Sequence, residues 1–157
     1  MNAIRTARER ARDEVRSEIL GVARRHLADQ GAAGLSLRAV ARELGMVPSA
    51  VYRYFDDRDA LLTALIVEAY DQLGDLAEEA MHKAPRKRPA RRWTAVARVV
   101  REWAVAHPHQ YALLYGSPVP GYAAPEDTIV PGTRVSMALV RIVADAHADG
   151  LLRDADR

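Results

Sequence analysis

Between Ser36 and Phe55 the chain reads SLRAVARELGMVPSAVYRYF, and its polar side chains fall at positions suited to a polyanion. Ser36 stands just before an apolar-periodic run, where a hydroxyl caps a helix whose free N–H groups attract anions. Arg38 falls in the first turn of that helix, and Tyr52, Arg53 and Tyr54 follow along a second segment. Each cation or donor placed on a phosphate makes binding weaken with salt. At the start of the second segment stand Val47, Pro48, Ser49 and Ala50. They are small enough to reach thymine methyls, and Ser49 supplies one hydrogen bond; none makes the paired contact to guanine that an arginine makes. Val47 and Pro48 equally suit plain helix initiation, and Tyr54 equally suits core packing.

These positions depend on two short helices. Leu37, Val40, Ala41 and Leu44 recur at i, i+3, i+4 and i+7, one apolar helical face. Gly45 follows as a stop that reaches positive φ without steric cost. A second helix is expected from about Val47–Ser49, with Pro48 in its first turn, and Val51, Tyr54 and Phe55 form its inner face. The small Ala41 lets the helices approach, and Val51 fills the angle between them. This is the helix-turn-helix arrangement, whose second helix enters a DNA major groove; the plainer reading is a helical hairpin. Upstream, Val15, Ile19, Val22, Ala23 and Leu27 mark a helix ending at Gln30-Gly31. Downstream, Asp56 or Asp57 offers a cap and Asp59 complements the dipole of a long helix carrying Leu61, Leu62, Leu65, Ile66, Ala69, Tyr70, Leu73 and Leu76.

The order ILGVARRHLADQG, LSLRAVARELGM, SAVYRYF, DDRDALLTAL resembles the N-terminal domain of TetR-family transcriptional regulators from about Asp13 to Leu73. The resemblance implies that the Ser36 hydroxyl and Tyr52 ring touch the DNA backbone, with Arg58 near a phosphate at the next helix start. It implies a homodimer on double-stranded DNA, a pseudo-palindromic operator, and a small-molecule effector bound in a helical C-terminal domain, most often releasing a repressor. Many relatives carry a small hydroxyl residue where Val47 stands. Family members also continue with two further helices that form a dimer interface; residues 57–157 are expected to lack them, either by truncation after Arg157 or because those residues lie outside this sequence. The stretch WAVAHPHQYALLYGSPVPGY resembles one subgroup of the family. There Trp103, Tyr111, Leu114, Tyr115 and Tyr122 offer apolar bulk with polar tips, as a ligand pocket wall or as ordinary core.

Across 157 residues, 49% of them hydrophobic, one or two small domains can bury a core. The net charge is +2, but residues 1–55 hold ten Arg against six acids, +4, and the remainder 13 basic against 15 acidic residues, −2. A basic end suits phosphates. There is no Cys, no signal-peptide core and no apolar run approaching the ~20 residues of a membrane span, so a cytoplasmic protein with no membrane partner is expected. The five His show no i, i+4 ligand pairing, and His107-Pro-His109 suits helix termination better than a metal. No nucleophile elbow or phosphate-binding loop occurs, so no enzyme, metal or cofactor is expected. An alternative from another class is a small-molecule-binding or scaffold protein with a vestigial helix-turn-helix.

The fold class expected is all-α: a three-helix DNA-binding domain with a helix-turn-helix, joined by a long helix to a helical regulatory domain. We divide the chain into a basic tail (1–12), a DNA-binding domain (13–56) and a ligand-binding domain (57–157). The tail arginines Arg5, Arg8, Arg10 and Arg12 either lie in a minor groove as an arm or extend the first helix into solvent. Asp57–Lys83 should form the connecting helix, Trp93–Ala106 a fourth long helix, Pro108–Tyr115 a short one and Thr133–Asp149 the last. Gly116–Pro131, with four Pro and two Gly, reads as loop. The basic cluster from Lys83 to Arg92 reads as solvated.

Overall fold

The spacing of apolar side chains along α4 sets the architecture, because this one helix serves two cores. A computed structural model describes residues 6–152. Among them, α1 (Ala7–Gln30), α2 (Leu37–Glu43), α3 (Pro48–Val51), α4 (Arg58–Lys83), α5 (Pro89–Ala106), α6 (Pro108–Tyr115) and α7 (Ile129–Ala148) are α-helical. Short 3₁₀ turns occupy Ala32–Gly34 and Glu126–Thr128. The described residues contain no strand.

The first core gathers Ile19, Leu20, Val22 and Ala23 of α1, Leu37, Val40 and Ala41 of α2, Val51 of α3, Phe55, and Leu61, Leu62, Leu65 and Ile66 of α4. Farther along α4, Ala69 and Leu73 meet Trp103, and Ala77 and Met81 meet Val96 of α5 with Ala138 and Ile142 of α7. Asp57 starts α4 by accepting the Ala60 N–H at 2.7 Å, as a capping carboxylate does.

The boundaries depart from expectation where a local signal is weak or went unread. Residues 7–12 extend the first helix, the second of the two readings of the basic tail: Thr6 accepts the Glu9 N–H at 3.2 Å and Glu9 accepts the Thr6 N–H at 2.7 Å. This reciprocal box starts α1 at Ala7. Arg5 lies outside the described residues. Helix α5 begins at Pro89 rather than Trp93, using proline at its first position. Trp93 itself is 46% exposed. Helix α7 begins at Ile129 and contains Pro131; a proline is tolerated there because first-turn N–H groups have no intrahelical acceptor.

The basic cluster after α4 is only partly solvated. Arg92 is buried, donating to the Met81 carbonyl at 3.2 Å and to Asp145 at 2.8 Å. Arg86 reaches Asp149 at 2.9 Å and Asp145 at 3.4 Å. Lower on α7, Arg134 bonds Asp71, Asp75 and Glu78 of α4 at 3.2, 2.5 and 2.9 Å. Guanidinium partners hold the Asp145, Asp149 and Glu78 carboxyls below the ordinary carboxylate range.

Candidate functional site

The turn between α2 and α3 is built by one residue in the left-handed region: Gly45 has φ +65°, and a Cβ there would meet nothing within 4 Å. The glycine is therefore required by backbone geometry and not by space. Beyond it Val47, the N-cap of α3, gives no side-chain hydrogen bond. That is the consequence of valine where a hydroxyl would cap. The α-helical stretch is short, Pro48–Val51. It continues in mixed turns, with Tyr52 N–H bonded to the Pro48 carbonyl at 3.1 Å and Phe55 N–H to the Val51 carbonyl at 3.2 Å.

This segment presents two faces. Val51 and Phe55 are buried, while Val47 (65% exposed), Pro48, Ser49, Tyr52 and Arg53 face outward and Ala50 is half-buried. Arg38 is exposed on α2, and the Ser36 hydroxyl accepts the Ala39 N–H at 3.4 Å. Tyr54 is half-buried against the first core, with the Arg12 guanidinium 5.8 Å from its ring centre. Arg16 lies 5.2 Å from the ring of Phe55. Two arginines of α1 thus sit over aromatic rings of the α3 segment, an attraction between cation and π face.

Arg58 stands at the start of α4, part-exposed. Its guanidinium donates to the Ala32 carbonyl at 2.7 Å and to Asp59 at 3.3 Å, fastening the start of α4 to the turn before α2. A second brace joins α1 to α2. His26, buried, donates through Nε2 to Glu43 at 2.6 Å, and Arg25 donates to the same carboxylate at 2.7 Å. These two partners hold the Glu43 carboxyl below its usual range. The Nδ1 of His26 is buried with no partner. Arg24 and Glu68 pair α1 with α4.

Of the five residues expected to line a pocket, Leu114 packs against the cluster that holds Trp103, and Leu114 and Tyr115 both contact Tyr70. Trp103 is buried in the second core and stacks on His107 with ring centres 5.1 Å apart. Tyr111 and Tyr115 are 38% and 47% exposed and contact each other at 5.0 Å. Leu114 and Tyr122 share a cleft, of about 360 Å³, between α4 and the α6–α7 connection. Tyr70, which the sequence reading assigned only to an apolar stripe, lines it too, and Thr63 of α4 bonds the Tyr122 hydroxyl at 2.9 Å. Thr63 and Tyr70 lie seven residues apart, on one face of α4, and polar atoms interrupting that stripe were the available signal. Among the described residues no group of three or more His, Cys, Asp or Glu could hold a metal, and no helix is long and apolar enough to cross a membrane.

Comparison with known proteins points one way. Residues 19–65 match the family described as bacterial regulatory proteins, tetR family, and residues 93–157 match the tetracyclin repressor-like C-terminal domain. The HTH-type transcriptional regulator Rv1816 of Mycobacterium tuberculosis is 49% identical over 150 residues, covering 95% of this chain and 64% of the relative. The chain therefore spans just under two thirds of that protein's length. A structure solved as the candidate regulatory protein SCO4313 is 38% identical over 92% of this chain and 72% of its own, with a TM-score of 0.79. The TetR-family regulator PfmR of Thermus thermophilus shares the fold at 22% identity, with a TM-score of 0.64 over 88% of this chain and 75% of its own.

Proposed function

This chain belongs to the TetR family of transcriptional regulators, and from that premise we propose that it binds double-stranded DNA through α2 and the α3 segment. The observation that carries the reading is the division of that segment. Buried Val51 and Phe55 anchor it, while Val47, Pro48 and Ser49 stand free at its N-terminal end, the end that reads base edges in helix-turn-helix proteins. Ala50 joins them at the groove, Arg38, Tyr52 and Arg53 contact phosphates, and the Ser36 hydroxyl lies at the backbone. Tyr54, packed under Arg12, and Arg58, held on the Ala32 carbonyl, position the reading segment instead of contacting the duplex.

A pseudo-palindromic operator would be read by two copies with recognition segments one helical turn apart, about 34–36 Å. In the proposed cycle the dimer represses transcription until a small molecule taken up by the helical C-terminal part lowers its affinity for DNA. No catalytic step is part of this reading.

The test is a gel shift on DNA from the protein's own upstream region, over a range of salt. Arg53→Ala should weaken all sequences about equally and lower the slope of log affinity against log salt by about 1. A change of base preference with the slope intact would show that Arg53 reads bases. Binding by the unmodified protein that is weak and erased by moderate salt would favour a vestigial helix-turn-helix.

A further inference from the structure

We propose that the groove between the C-terminal end of α4 and α5, on the face turned away from α7, is a docking site for an acidic amphipathic helix of a partner protein. This surface lies outside the DNA-reading segment, and its use goes beyond the regulator reading above.

Two packed helices leave a groove on each side. Arg134 of α7 bonds Glu78, and Ala138 and Ile142 of α7 pack with Met81 and Val96, so α7 occupies one side of the α4–α5 pair. Lys83 lies about 140° around α4 from Glu78, and Arg98 about 160° around α5 from Val96, at ~100° per residue. The groove on that second side, of about 580 Å³, is lined by α4, its C-cap Ala84 and α5 alone.

Two chemistries meet in the lining. Ala80, Ala84, Ala95 and Val99 are half-buried and form a shallow apolar floor. Alanine raises no bulk between the two backbones, which lets a third helix pack close. Lys83, Arg91 and Arg98 stand exposed at the rim, and no carboxylate lines the groove. Lys83 pairs with Glu79 at 2.5 Å, but Arg91 and Arg98 make no ion pair among the described residues. Toward α7 the pattern is reversed, since Arg86, Arg92 and Arg134 each have a carboxylate partner. Charge that the fold leaves unmatched at the groove is complemented by a partner bringing its own carboxylates. Arginine beside a close-packed apolar floor is also a composition favoured at protein interfaces.

Spacing sets the kind of partner. From Ala90 to Val99 the groove follows α5 for about 13.5 Å, roughly two and a half turns at ~1.5 Å per residue. Arg91 and Arg98 stand about 10.5 Å apart along one face of α5, close to two turns. A helix laid in the groove reaches both with carboxylates at i and i+7, and covers the alanine floor with apolar side chains at i+3 and i+4. A nucleic acid would offer phosphates to the arginines and nothing to the floor.

The experiment is NMR of the full chain with ¹³C-labelled alanine methyls. The probe is a helical peptide of about 18 residues with leucines on one face and glutamates at i and i+7 beside them; control peptides carry glutamine or lysine in place of the glutamates. The acidic peptide should shift the Ala80, Ala84, Ala90 and Ala95 methyls saturably. The glutamine peptide should bind at least about fivefold more weakly, and the lysine peptide should leave these methyls unmoved. Arg91→Glu/Arg98→Glu, changed only at exposed positions, should invert the preference and take the lysine peptide. Silent methyls with the acidic peptide, equal shifts with all three peptides, or a preference that survives the charge reversal would overturn the proposal. Duplex DNA of arbitrary sequence moving the same methyls more strongly than the acidic peptide would overturn it in favour of a nucleic-acid contact. Self-association of the unmodified protein that the double variant abolishes would overturn it in favour of a second copy of this chain.

Discussion

Around α2 and α3, nearly every large apolar side chain that the helical period points inward is buried: Leu37, Val40, Val51, Leu61 and Leu62 are at most 4% exposed. Along α7 the pattern is different. Ala138, Ile142 and Ala146 are buried, but Ile129, Val130, Met137, Val140 and Val143 are between 47% and 74% exposed. α7 is joined to α4 and α5 by a small apolar cluster of Ala77, Met81, Val96, Ala138 and Ile142, and in addition by guanidinium–carboxylate pairs built on Arg86, Arg92 and Arg134. The first region is held mainly by packing; the second adds to a smaller apolar cluster a larger set of charge pairs, which acid and salt weaken.

The sharpest way to break this contrast is to cut each region at its own support. Leu62→Ala, fully buried in the first core, should cost about 2–5 kcal/mol in urea unfolding, through lost burial and the cavity left behind. A cost no larger than that of a surface change would show that the first core adapts freely. Arg92→Met should cost less, about 2–3 kcal/mol, because Asp145 keeps Arg86 as a partner while the Met81 carbonyl loses its donor. If Arg92→Met were neutral, the second region would be held by packing after all. Gly45→Ala should cost about 1–2 kcal/mol from backbone strain alone, since the added methyl meets no neighbour. It should also weaken DNA binding more than stability; an unchanged gel shift would mean that the turn tolerates another conformation.

The smallest effect is on pH and salt. Glu78, Asp145 and Asp149 have carboxyls depressed by their arginine partners. Their contribution is complete above the ordinary carboxylate pKa of about 4 and is lost as pH falls through the lower folded-state values. In the first region Glu43 is depressed by Arg25 and His26, but packing there remains when it is protonated. Hydrogen exchange measured from neutral pH down to about 3, corrected for intrinsic rates, should therefore show α7 losing protection before α2, and earlier in high salt. Simultaneous loss would remove the distinction.

What was legible in the sequence was what neighbours in the chain decide. Gly45, the Ala41–Val51 pairing and the run of leucines along α4 needed only helical spacing. The Thr6–Glu9 box has the same local character, a Thr-x-x-Glu pattern, but stands within an arginine-rich stretch that masks it. Arg92 was not legible: in sequence it is one more cation in a basic run, and its partner Asp145 lies 53 positions away. The aromatics of α5, α6 and the connection after α6 were only partly legible for a related reason. Trp103, Tyr111, Tyr115 and Tyr122 have the chemistry of a pocket wall, but which of them share a space depends on how the α6–α7 connection folds back over α4. Only the partners Thr63 and Tyr70 show that.

The unbroken run of α4 has one more mechanical consequence. Its 26 residues form a rod about 39 Å long at ~1.5 Å per residue, with Arg58 clasping the Ala32 carbonyl at one end and Met81 embedded at the other. A tilt of only ~5° about the far end would carry the near end through roughly 3 Å, comparable to the reach of a single hydrogen bond. Because Arg58 grips the turn ahead of α2, that swing is handed to α2 and the α3 segment as a lever hands on motion, and changes of ångström size at the far end of α4 suffice to reorient them.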